Sequence, residues 1–460
     1  METDDKEIDI LTQPLKKTDL IYQIEDKPPF AEALFVAAQH LLAIFVAIIT
    51  PPLIVSSAIG LDTETTGFLV SMALLASGIS TFVQCKRLGP VGCGLLCVQG
   101  TSFSFIGAIN ASFAGMGVAA LPIIFGITIA GAPIEMIVSR LLKYTRKIIT
   151  PLVSGIVVTM IGLCLIKVAI ISCGGGYDSM SLDATLYPKL TFGSLHNLGL
   201  AAVVLCSILL FNSFKNKYIR MSSIILGLII GYIAAYIMGR IDFSLISGLG
   251  AINIPAPFKY GLGFSWSAFI SIALIYFITS IEAYGDITAN SMIGGEPIEG
   301  PKFIKRAQGG VLADGVNSMI AGVLNSFPNS IFAQNNGLIQ LTGVASRYVG
   351  YYIAALLVIL SIFPFIGGIF SIMPAPVLGG ATLLMFGTVA ASGIRIIASQ
   401  NINRKAILVL AVSFASGLGV ELVPDILLQT PSWFNGTFSS GITTGGTAAI
   451  LANIIIRIKD

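Results

Sequence analysis

Two carboxylates stand four residues apart inside an apolar stretch of the sequence. The segment "IYFITSIEAYGDITANSM" carries Glu282 and Asp286, and this spacing puts both side chains on one face of a helix. Burial and like charge each disfavour the ionised form of a carboxyl group, so at least one of the pair is expected to titrate near neutral pH, as proton-coupled transport requires. The alternative for each is a helix cap or a hydrogen bond between helices. Glu282 lies deeper and is the stronger candidate.

Other ionisable side chains also fall in apolar surroundings. Asp314, in "GGVLADGVNSMI", lies a turn or two into a predicted helix, where it either exchanges protons with the Glu282 pair or ties helices together. His40, in "AAQHLLAIF", either relays protons or stays neutral and hydrogen-bonded to a neighbouring helix. For Glu135 and Lys167 we favour helix-end or structural pairing.

Several amide side chains cluster in the stretch "SIFAQNNGLIQLTG". Because an amide both donates and accepts hydrogen bonds, Gln334 and Asn335 suit a flat, neutral ligand whose edge alternates N–H and C=O groups, such as a nucleobase. Glu282 would add an acceptor for a ring N–H, and Phe103 or another aromatic side chain would stack on the ring face. In the alternative the amides bond only to neighbouring backbone, since an unpaired buried polar group is costly.

The composition identifies the setting of these groups. The chain has 460 residues, of which 55% are hydrophobic and 11% charged, and its mean hydropathy is +0.89. An ordinary soluble domain is excluded. Apolar windows about as long as the ~20 residues that a membrane-spanning helix needs recur to the C-terminus. Residues 1–30 are charged and lack an apolar core, so no cleavable signal peptide is expected. The sequence predicts an all-α polytopic membrane protein.

Twelve to fourteen spans fit the pattern, and an arrangement of fourteen has connections too short for a separate soluble domain. Of the 26 Lys and Arg residues, 22 fall on one side of this arrangement, 3 on the other and one, Lys167, inside a span. This bias predicts that both termini are cytoplasmic. The predicted spans are residues 31–55, 66–84, 91–109, 117–141, 149–172, 195–212, 220–238, 264–288, 308–325, 329–342, 347–370, 375–396, 404–420 and 438–457.

The second half of the chain repeats features of the first. The fifth span opens "ITPLVSGIVV" and the twelfth "MPAPVLGGATL", while the third, "CVQGTSFSFIGA", and the tenth, "FPNSIFAQNNGLIQLTG", are both interrupted by small and polar residues. Seven spans per half is an odd number, so the two repeats are expected to be inverted. The broken segments should line an enclosed cavity near the bilayer midplane, where "TSFSF" and "NSIFA" are able to pair as short strands.

Two other features carry less information. The inner segment "GGEPIEGPKFIKRAQGG" is predicted to be a surface helix or loop at the membrane. The six cysteines show no paired metal spacing and are predicted to be small apolar packing residues.

The amide cluster also carries a family resemblance. "QNNGLIQLTG" at 334–343 resembles the signature of the nucleobase–ascorbate transporter family, an amide or acid, then Asn, then Gly, then Thr after four intervening residues. "QH" at 39–40, "EAYGDITA" at 282–289 and "GGVLADG" at 309–315 resemble the family's markers in the first, eighth and ninth spans, so the resemblance covers essentially the whole chain. The uracil branch usually opens the signature with an acid, whereas the amides here resemble the xanthine and uric acid branch.

The resemblance implies a fourteen-span fold of two inverted seven-span repeats, proton symport, elevator-like motion of a core domain against a gate domain, and a homodimer formed through the gates. It implies that Glu282 and Gln334 hold a purine by their side chains, that Phe103 stacks, and that backbone near Ala333 and Phe103 adds hydrogen bonds. The residues implied to support affinity, coupling or the shape of the site are Asn335, Asp286, Asp314 and His40. The implied divisions are a cytoplasmic tail at 1–30, core segments at 31–141 and 264–370, and gate segments at 149–238 and 375–457.

The choice between purine substrates depends on one position that the sequence leaves open. Ser102, in "GTSFSF", lies where family members carry either a small hydroxyl or a bulkier amide, and a small residue leaves room for the C8 oxygen of uric acid as well as for xanthine. The expected function is proton-coupled purine uptake across the cytoplasmic (inner) membrane, with no cofactor beyond protons, no metal and no nucleic acid. An anion exchanger or channel of the same fold, binding an anion at helix N-termini, and a uracil-type permease are the alternatives. Glu282 would repel an anion, and no nucleophile or metal cluster supports an enzyme.

Overall fold

The structure, a computed structural model, is mainly helical. It describes residues 20–145, 150–176, 178–181, 189–216, 219, 222–246, 252, 255–298, 300–332, 334–398, 400–431, 434–435 and 438–456.

Helices occupy the apolar windows of the first half of the chain. In order, the elements are α1 (Phe30–Ile59), α2 (Thr63–Lys86), β1 (Gln99–Thr101), α3 (Ile106–Phe113), α4 (Ala120–Thr145), α5 (Pro151–Gly174), α6 (Leu195–Asn212) and α7 (Ser223–Ile237). Gly60 ends α1 in a left-handed conformation (φ 80°), which lets its N–H bond the last turn of the helix. The side chain of Asp62 then starts α2 by accepting the N–H of Thr65.

The second half has the same character. Its elements are α8 (Trp266–Ile293), α9 (Gly300–Val323), β2 (Asn329–Ile331), α10 (Gln334–Thr342), α11 (Arg347–Ile362), α12 (Pro364–Ser371), α13 (Ala375–Ala398), α14 (Arg404–Leu422) and α15 (Gly441–Ile455). Asn403 caps α14 by accepting the N–H of Ala406 at 2.9 Å.

Two predictions about the second half are wrong in detail. The segment predicted to be a surface helix or loop belongs in part to α9, which begins at Gly300 and buries Phe303 and Ala307. The predicted span 347–370 is two helices, α11 and α12, which part at Phe363. Pro364 disfavours the helical conformation of the residue before it, and Phe363 is accordingly extended (φ −97°, ψ 98°), which ends α11.

The two interrupted spans meet in a short antiparallel ladder. Gln99 pairs with Ile331 and Thr101 with Asn329, so the predicted pairing of two short strands is confirmed. The first strand lies earlier than "TSFSF" and ends at Thr101. Gly100 stands in its centre because a Cβ there would lie 2.4 Å from the Phe332 ring. The chain leaves the ladder in a 3-10 turn, Phe103–Phe105, followed by α3.

The helices are long and apolar enough for a multi-pass membrane protein. Within the described residues, eight helices have the length and composition to cross a membrane. Shorter apolar helices accompany them, among them α7, α11 and α15.

The helices pack in two sets. The first packing set contains α1, α2, α4, α8, α9 and α11 with both strands, and its closest pairs are α4 with α9 and α2 with α11. The second packing set contains α5, α6, α7, α13, α14 and α15, and its closest pairs are α5 with α13 and α14 with α15. Contacts between the sets include those of α8 with α5 and α15 and of α1 with α7.

Candidate functional site

Glu282 faces the turn that follows the first strand. It lies on α8, is half buried, and its Oε2 accepts a hydrogen bond from the Ser104 hydroxyl at 3.3 Å. Ser104 belongs to the turn that also carries Phe103, and the Ser102 hydroxyl caps this turn by accepting the Ser104 N–H at 3.4 Å. The carboxylate that the sequence favoured therefore lies beside Phe103 and Ser102, which the sequence also predicted to be in the site.

Three aromatic rings gather at the same point. The Phe103 and Phe332 rings are stacked with their centroids 6.4 Å apart, and the Phe386 ring meets Phe103 edge-on at 5.2 Å. Phe332 follows β2, whereas Phe386 lies on α13 in the second packing set. The three rings thus connect both broken segments to the second packing set. Aromatic faces of this kind suit contact with a flat ligand.

Asn335 fixes the position of α10 from two sides. Its Nδ2 donates to the carbonyl of Leu96, just before β1, and its Oδ1 lies 2.6 Å from Nδ1 of His40 on α1. Since the amide nitrogen is committed to Leu96, the oxygen must accept from His40, which places the imidazole proton on Nδ1. His40 is fully buried, and its Nε2 has no partner among the described residues.

A second pair of amides reinforces this junction. Asn290 donates to Asn336 at 3.0 Å and to the same Leu96 carbonyl at 2.9 Å. Glu282, Asp286 and Asn290 follow one another at intervals of four residues, so all three share a face of α8. The face that carries the carboxylates therefore also holds the helix that begins at Gln334.

Asp314 is tied to the first strand. Its Oδ1 accepts from the Gln99 amide on β1 and from the Gln84 amide on α2, the latter at 3.3 Å. Gln84 Nε2 also donates to the Gly310 carbonyl. Asp314 is fully buried, and its Oδ2 has no partner among the described residues. Asp314 thus holds β1 in place and keeps one oxygen uncommitted.

Two further carboxyl groups lie in the first packing set. Asp286 is 5% exposed, and its Oδ2 has no partner in the described part of the chain. Glu135, on α4, accepts the Thr279 hydroxyl at 2.6 Å, so the structural pairing predicted for it is confirmed, although its Oε2 is unpartnered among the described residues. Lys167 likewise pairs with Glu421, at 3.2 Å.

Part of the predicted site lies outside the residues that the structure describes. Ala333 is not among the described residues. Gln334 begins α10, and its backbone is described but its side chain is not. The roles predicted for Ala333 and for the Gln334 amide therefore stay predictions.

Sequence reasoning missed several partners in this site. Ser104, Asn290 and Phe386 were not singled out, and neither were Gln84 and Gln99. The repeat of four residues on α8 was visible in the sequence and would have identified Asn290. No local pattern distinguishes Phe386 from the other apolar residues of α13.

Comparison with known proteins identifies the family. The model of the permease family Xan_ur_permease matches residues 31–426. The chain belongs to the nucleobase–ascorbate transporter family. Members of this permease family are transporters, so the protein is a transporter and not an enzyme.

Close relatives of this nucleobase–ascorbate transporter match it along nearly its whole length. The xanthine permease XanP of Escherichia coli K12 is 48% identical over 455 residues, covering 96% of each chain. The xanthine permease XanQ of the same strain is 46% identical, covering 95% of this chain and 94% of the relative. The uric acid permease PucJ of Bacillus subtilis is 33% identical, covering 92% of each.

Solved structures share the fold at low sequence identity. The structure of SLC26A9 has a TM-score of 0.59 and 13% identity, covering 98% of this chain and 69% of that one. The transmembrane domain of the cyanobacterial bicarbonate transporter BicA has a TM-score of 0.55 and 15% identity, covering 90% of this chain and 100% of that domain. The likeness concerns the transporter fold alone.

Proposed function

We propose that the protein takes up purines, xanthine first and uric acid as a second candidate, in symport with protons across the cytoplasmic membrane. The xanthine and uric acid permeases that it resembles over nearly their full length support this substrate class. Protons are the coupling ion, and no other cofactor is invoked.

The observation that carries the proposal is the position of Glu282. Its half-buried carboxylate lies 3.3 Å from Ser104, beside the Phe103 ring and where the two broken segments cross. A carboxylate accepts hydrogen bonds from ring N–H groups of a purine, an amide such as Gln334 reads an adjacent N–H and C=O pair, and the Phe103 face covers the ring. Backbone near Ala333 would complete the edge.

Ser102 bears on the choice of purine. Its hydroxyl caps the turn that carries Phe103, and the side chain is 4% exposed. Because that oxygen accepts inside the turn, we assign Ser102 to the shape of the site rather than to a strong bond with the ligand. A small residue at this place leaves room for the additional oxygen of uric acid.

The packing pattern supports two inverted seven-span repeats. The spans are counted in chain order, with β1 and α3, β2 and α10, and α11 and α12 each counted as one span. If each span is then replaced by the one seven places further on, the pair α2 with α11 becomes α9 with α4, and the pair α6 with α7 becomes α14 with α15. The pairs α5 with α13 and β1 with β2 map onto themselves. A pseudo-two-fold axis in the membrane plane relates elements in this way. Together with the Lys and Arg bias, this pattern supports a fourteen-span topology with both termini cytoplasmic.

The two packing sets support an elevator mechanism. We assign the first set to the predicted core, 31–141 and 264–370, and the second to the predicted gate, 149–238 and 375–457. In the proposed motion the core slides along the gate, with the Phe103 and Phe386 edge contact at the boundary. Exposed apolar side chains on α6, α7 and α14 suit lipid and the gate-mediated homodimer.

Coupling to protons would use the uncommitted carboxyl oxygens near Glu282. Asp286 and Asp314 each keep one oxygen without a partner in the described residues, and His40 keeps Nε2. Proton binding at such groups would satisfy a buried oxygen that has no partner, and purine binding would bring N–H donors to the half-buried Glu282 carboxylate, so the two would reinforce each other. The uracil-type permease remains the alternative substrate class. An anion exchanger is disfavoured because Glu282 would repel an anion.

Uptake of radiolabelled xanthine in cells tests the proposal. We expect Glu282→Ala and Gln334→Ala variants that reach the membrane to lose uptake, and Glu64→Ala, at an exposed position at the start of α2, to retain it. A protonophore should abolish accumulation in the wild type. Competition by uric acid, hypoxanthine, guanine and uracil ranks the substrates. Normal xanthine uptake in either site variant would refute the site, and no accumulation of any purine would favour the anion transporter.

A further inference from the structure

A basic cavity opens at the end of the first packing set where Lys and Arg residues concentrate. It has a volume of about 490 Å³, and three cationic side chains line it, Arg87, Arg140 and Lys305. Arg87 follows α2, Arg140 lies in the last turns of α4, and Lys305 lies in the second turn of α9. Three elements that are distant in sequence thus place positively charged side chains around one cavity.

Among the described residues, these cations differ from their neighbours because no anionic side chain pairs with them. Lys302 and Arg306 both contact Glu296, at 2.8 and 3.0 Å, and Arg347 contacts Glu25 at 2.7 Å. In the part of the chain that the structure describes, no carboxylate lines the cavity and none of its three cations forms an ion pair. The positive-inside preference accounts for cations on this side but not for their convergence without counter-charge.

The cavity walls are held by the backbone. Arg87 has a left-handed conformation (φ 59°), uncommon for a residue with a side chain, and its N–H caps α2 by donating to the Val83 carbonyl. Gly92 packs against the Arg87 Cα, where its own Cβ would lie at 2.8 Å, and the Gly92 N–H donates to Gly309 of α9 at 2.8 Å. Gln308 donates to the Arg140 carbonyl at 3.4 Å. The three cationic positions are therefore fixed relative to one another.

We propose that this cavity binds a phosphate-bearing anion, either the phosphate of an anionic phospholipid headgroup or free phosphate. Guanidinium groups match phosphate oxygens in pairs, and a lysine adds a point charge. The volume exceeds that of a phosphate alone, and Pro90, Pro301 and Ile304 give the cavity an apolar wall against which a glycerol backbone fits. Basic pockets between membrane helices on the cytoplasmic side suit anionic headgroups, which favours the lipid as the source.

The bound anion would act on the part of the molecule that carries the site. The cavity is built from α2, α4 and α9, all in the first packing set, and α9 reaches Asp314 nine residues after Lys305. An anion that bridges the three elements would hold their ends together. Purine recognition does not enter this inference, so the two proposals stand or fall separately.

Native mass spectrometry of the purified full-length protein tests it, with phosphatidylglycerol titrated in detergent. The cavity variant is R87Q/R140Q/K305Q, and the control variant R395Q/R404Q/K405Q removes equal charge around the connection between α13 and α14. Each cation near an anionic lipid contributes a factor of about five in affinity. We expect the cavity variant to bind phosphatidylglycerol about 100-fold more weakly than the wild type, and the control variant to bind like the wild type.

A parallel titration with sodium phosphate, read as a shift in melting temperature, separates the two sources. Phosphate without effect, together with lost lipid binding in the cavity variant, assigns the site to a lipid headgroup. Stabilisation by millimolar phosphate that the cavity variant alone loses assigns it to a free anion. If the triple variant does not fold, Arg140→Gln changes a single exposed side chain and should weaken binding about fivefold. Equal affinities of the wild type, the cavity variants and the control for both probes would overturn the proposal.

Discussion

The imidazole of His40 and the amide of Asn335 are joined at 2.6 Å across 295 residues of sequence, Nδ1 to Oδ1. This bond and the one from Asn335 to Leu96 hold the start of α10, where Gln334 lies, against α1 and the chain entering β1. The geometry of the candidate site therefore depends on a histidine that need not touch the ligand.

His40→Asn is expected to retain folding and uptake, because the Asn Nδ2 occupies the place of the imidazole Nδ1 and donates to Asn335. His40→Leu leaves the buried Asn335 oxygen unpaired, which costs about 1–3 kcal/mol. We expect that loss to appear as a lower melting temperature and as a raised KM for xanthine uptake. Equal behaviour of the two variants in both measurements would show that the hydrogen bond is not what matters at His40.

Gly100→Ala is expected to abolish uptake and sharply lower expression. The added Cβ would lie 2.4 Å from the Phe332 ring and 2.9 Å from Ile48 on α1, so the ladder of the two strands would have to part. Gly107→Ala is the matched control on α3, where the new Cβ meets nothing nearer than the Ser440 hydroxyl at 3.7 Å. Membrane display by immunoblot and xanthine uptake check both. Normal display and uptake of Gly100→Ala would mean that the close approach is not required.

The sequence was sufficient for features that rest on local patterns. Periodic apolar windows located the helices, and the interrupted third and tenth spans predicted the strand pair. The first strand was predicted too late in the sequence because Gly100, which allows the close approach of Phe332, was not recognised as the centre of the strand. The break between α11 and α12 was missed although Pro364 marks it.

Partners that are distant in sequence were beyond the reach of such patterns. Ser104 meets Glu282 across 178 residues, and Asn336 meets Asn290 across 46. Which serine or asparagine forms the hydrogen bond with a buried polar group depends on how the helices pack, and a single sequence does not specify that packing. Residues with unusual chemistry for their surroundings, such as Glu282 and Asp314, could be selected; the neutral residues that hold them could not.

Acid is expected to weaken the connection between α8 and α9 through Glu296. Burial alone would raise the pKa of Glu296, but hydrogen bonds and positive charge from Lys302 and Arg306 outweigh it and hold the pKa below its ordinary value. A lowered carboxyl pKa adds stability above the ordinary value, and that stability is lost as the pH falls through the folded-state pKa.

The melting temperature of purified Glu296→Gln should therefore be lower than that of the wild type at about pH 7, and the difference should vanish towards about pH 3. Glu64→Gln, at an exposed position on α2, is the control and should follow the wild type throughout. A difference between wild type and Glu296→Gln that stays constant across this range would rule out the ion pairs as its cause.

Asp314→Asn is expected to separate structure from coupling. Gln84 and Gln99 both donate to Oδ1 of Asp314, and an asparagine oxygen accepts both bonds, so the variant resembles the protonated acid and should fold and display normally. It cannot release a proton. We therefore expect exchange of labelled for unlabelled xanthine in proteoliposomes to persist, while accumulation driven by a proton gradient falls at least about tenfold, the factor that a 1.4 kcal/mol loss of coupling produces.

Asp314→Leu loses both amide bonds and should fail to fold, which marks the structural contribution. Accumulation by Asp314→Asn at the wild-type level would mean that Asp314 only ties β1 to α9, and the proton would then have to be assigned to Glu282 or Asp286.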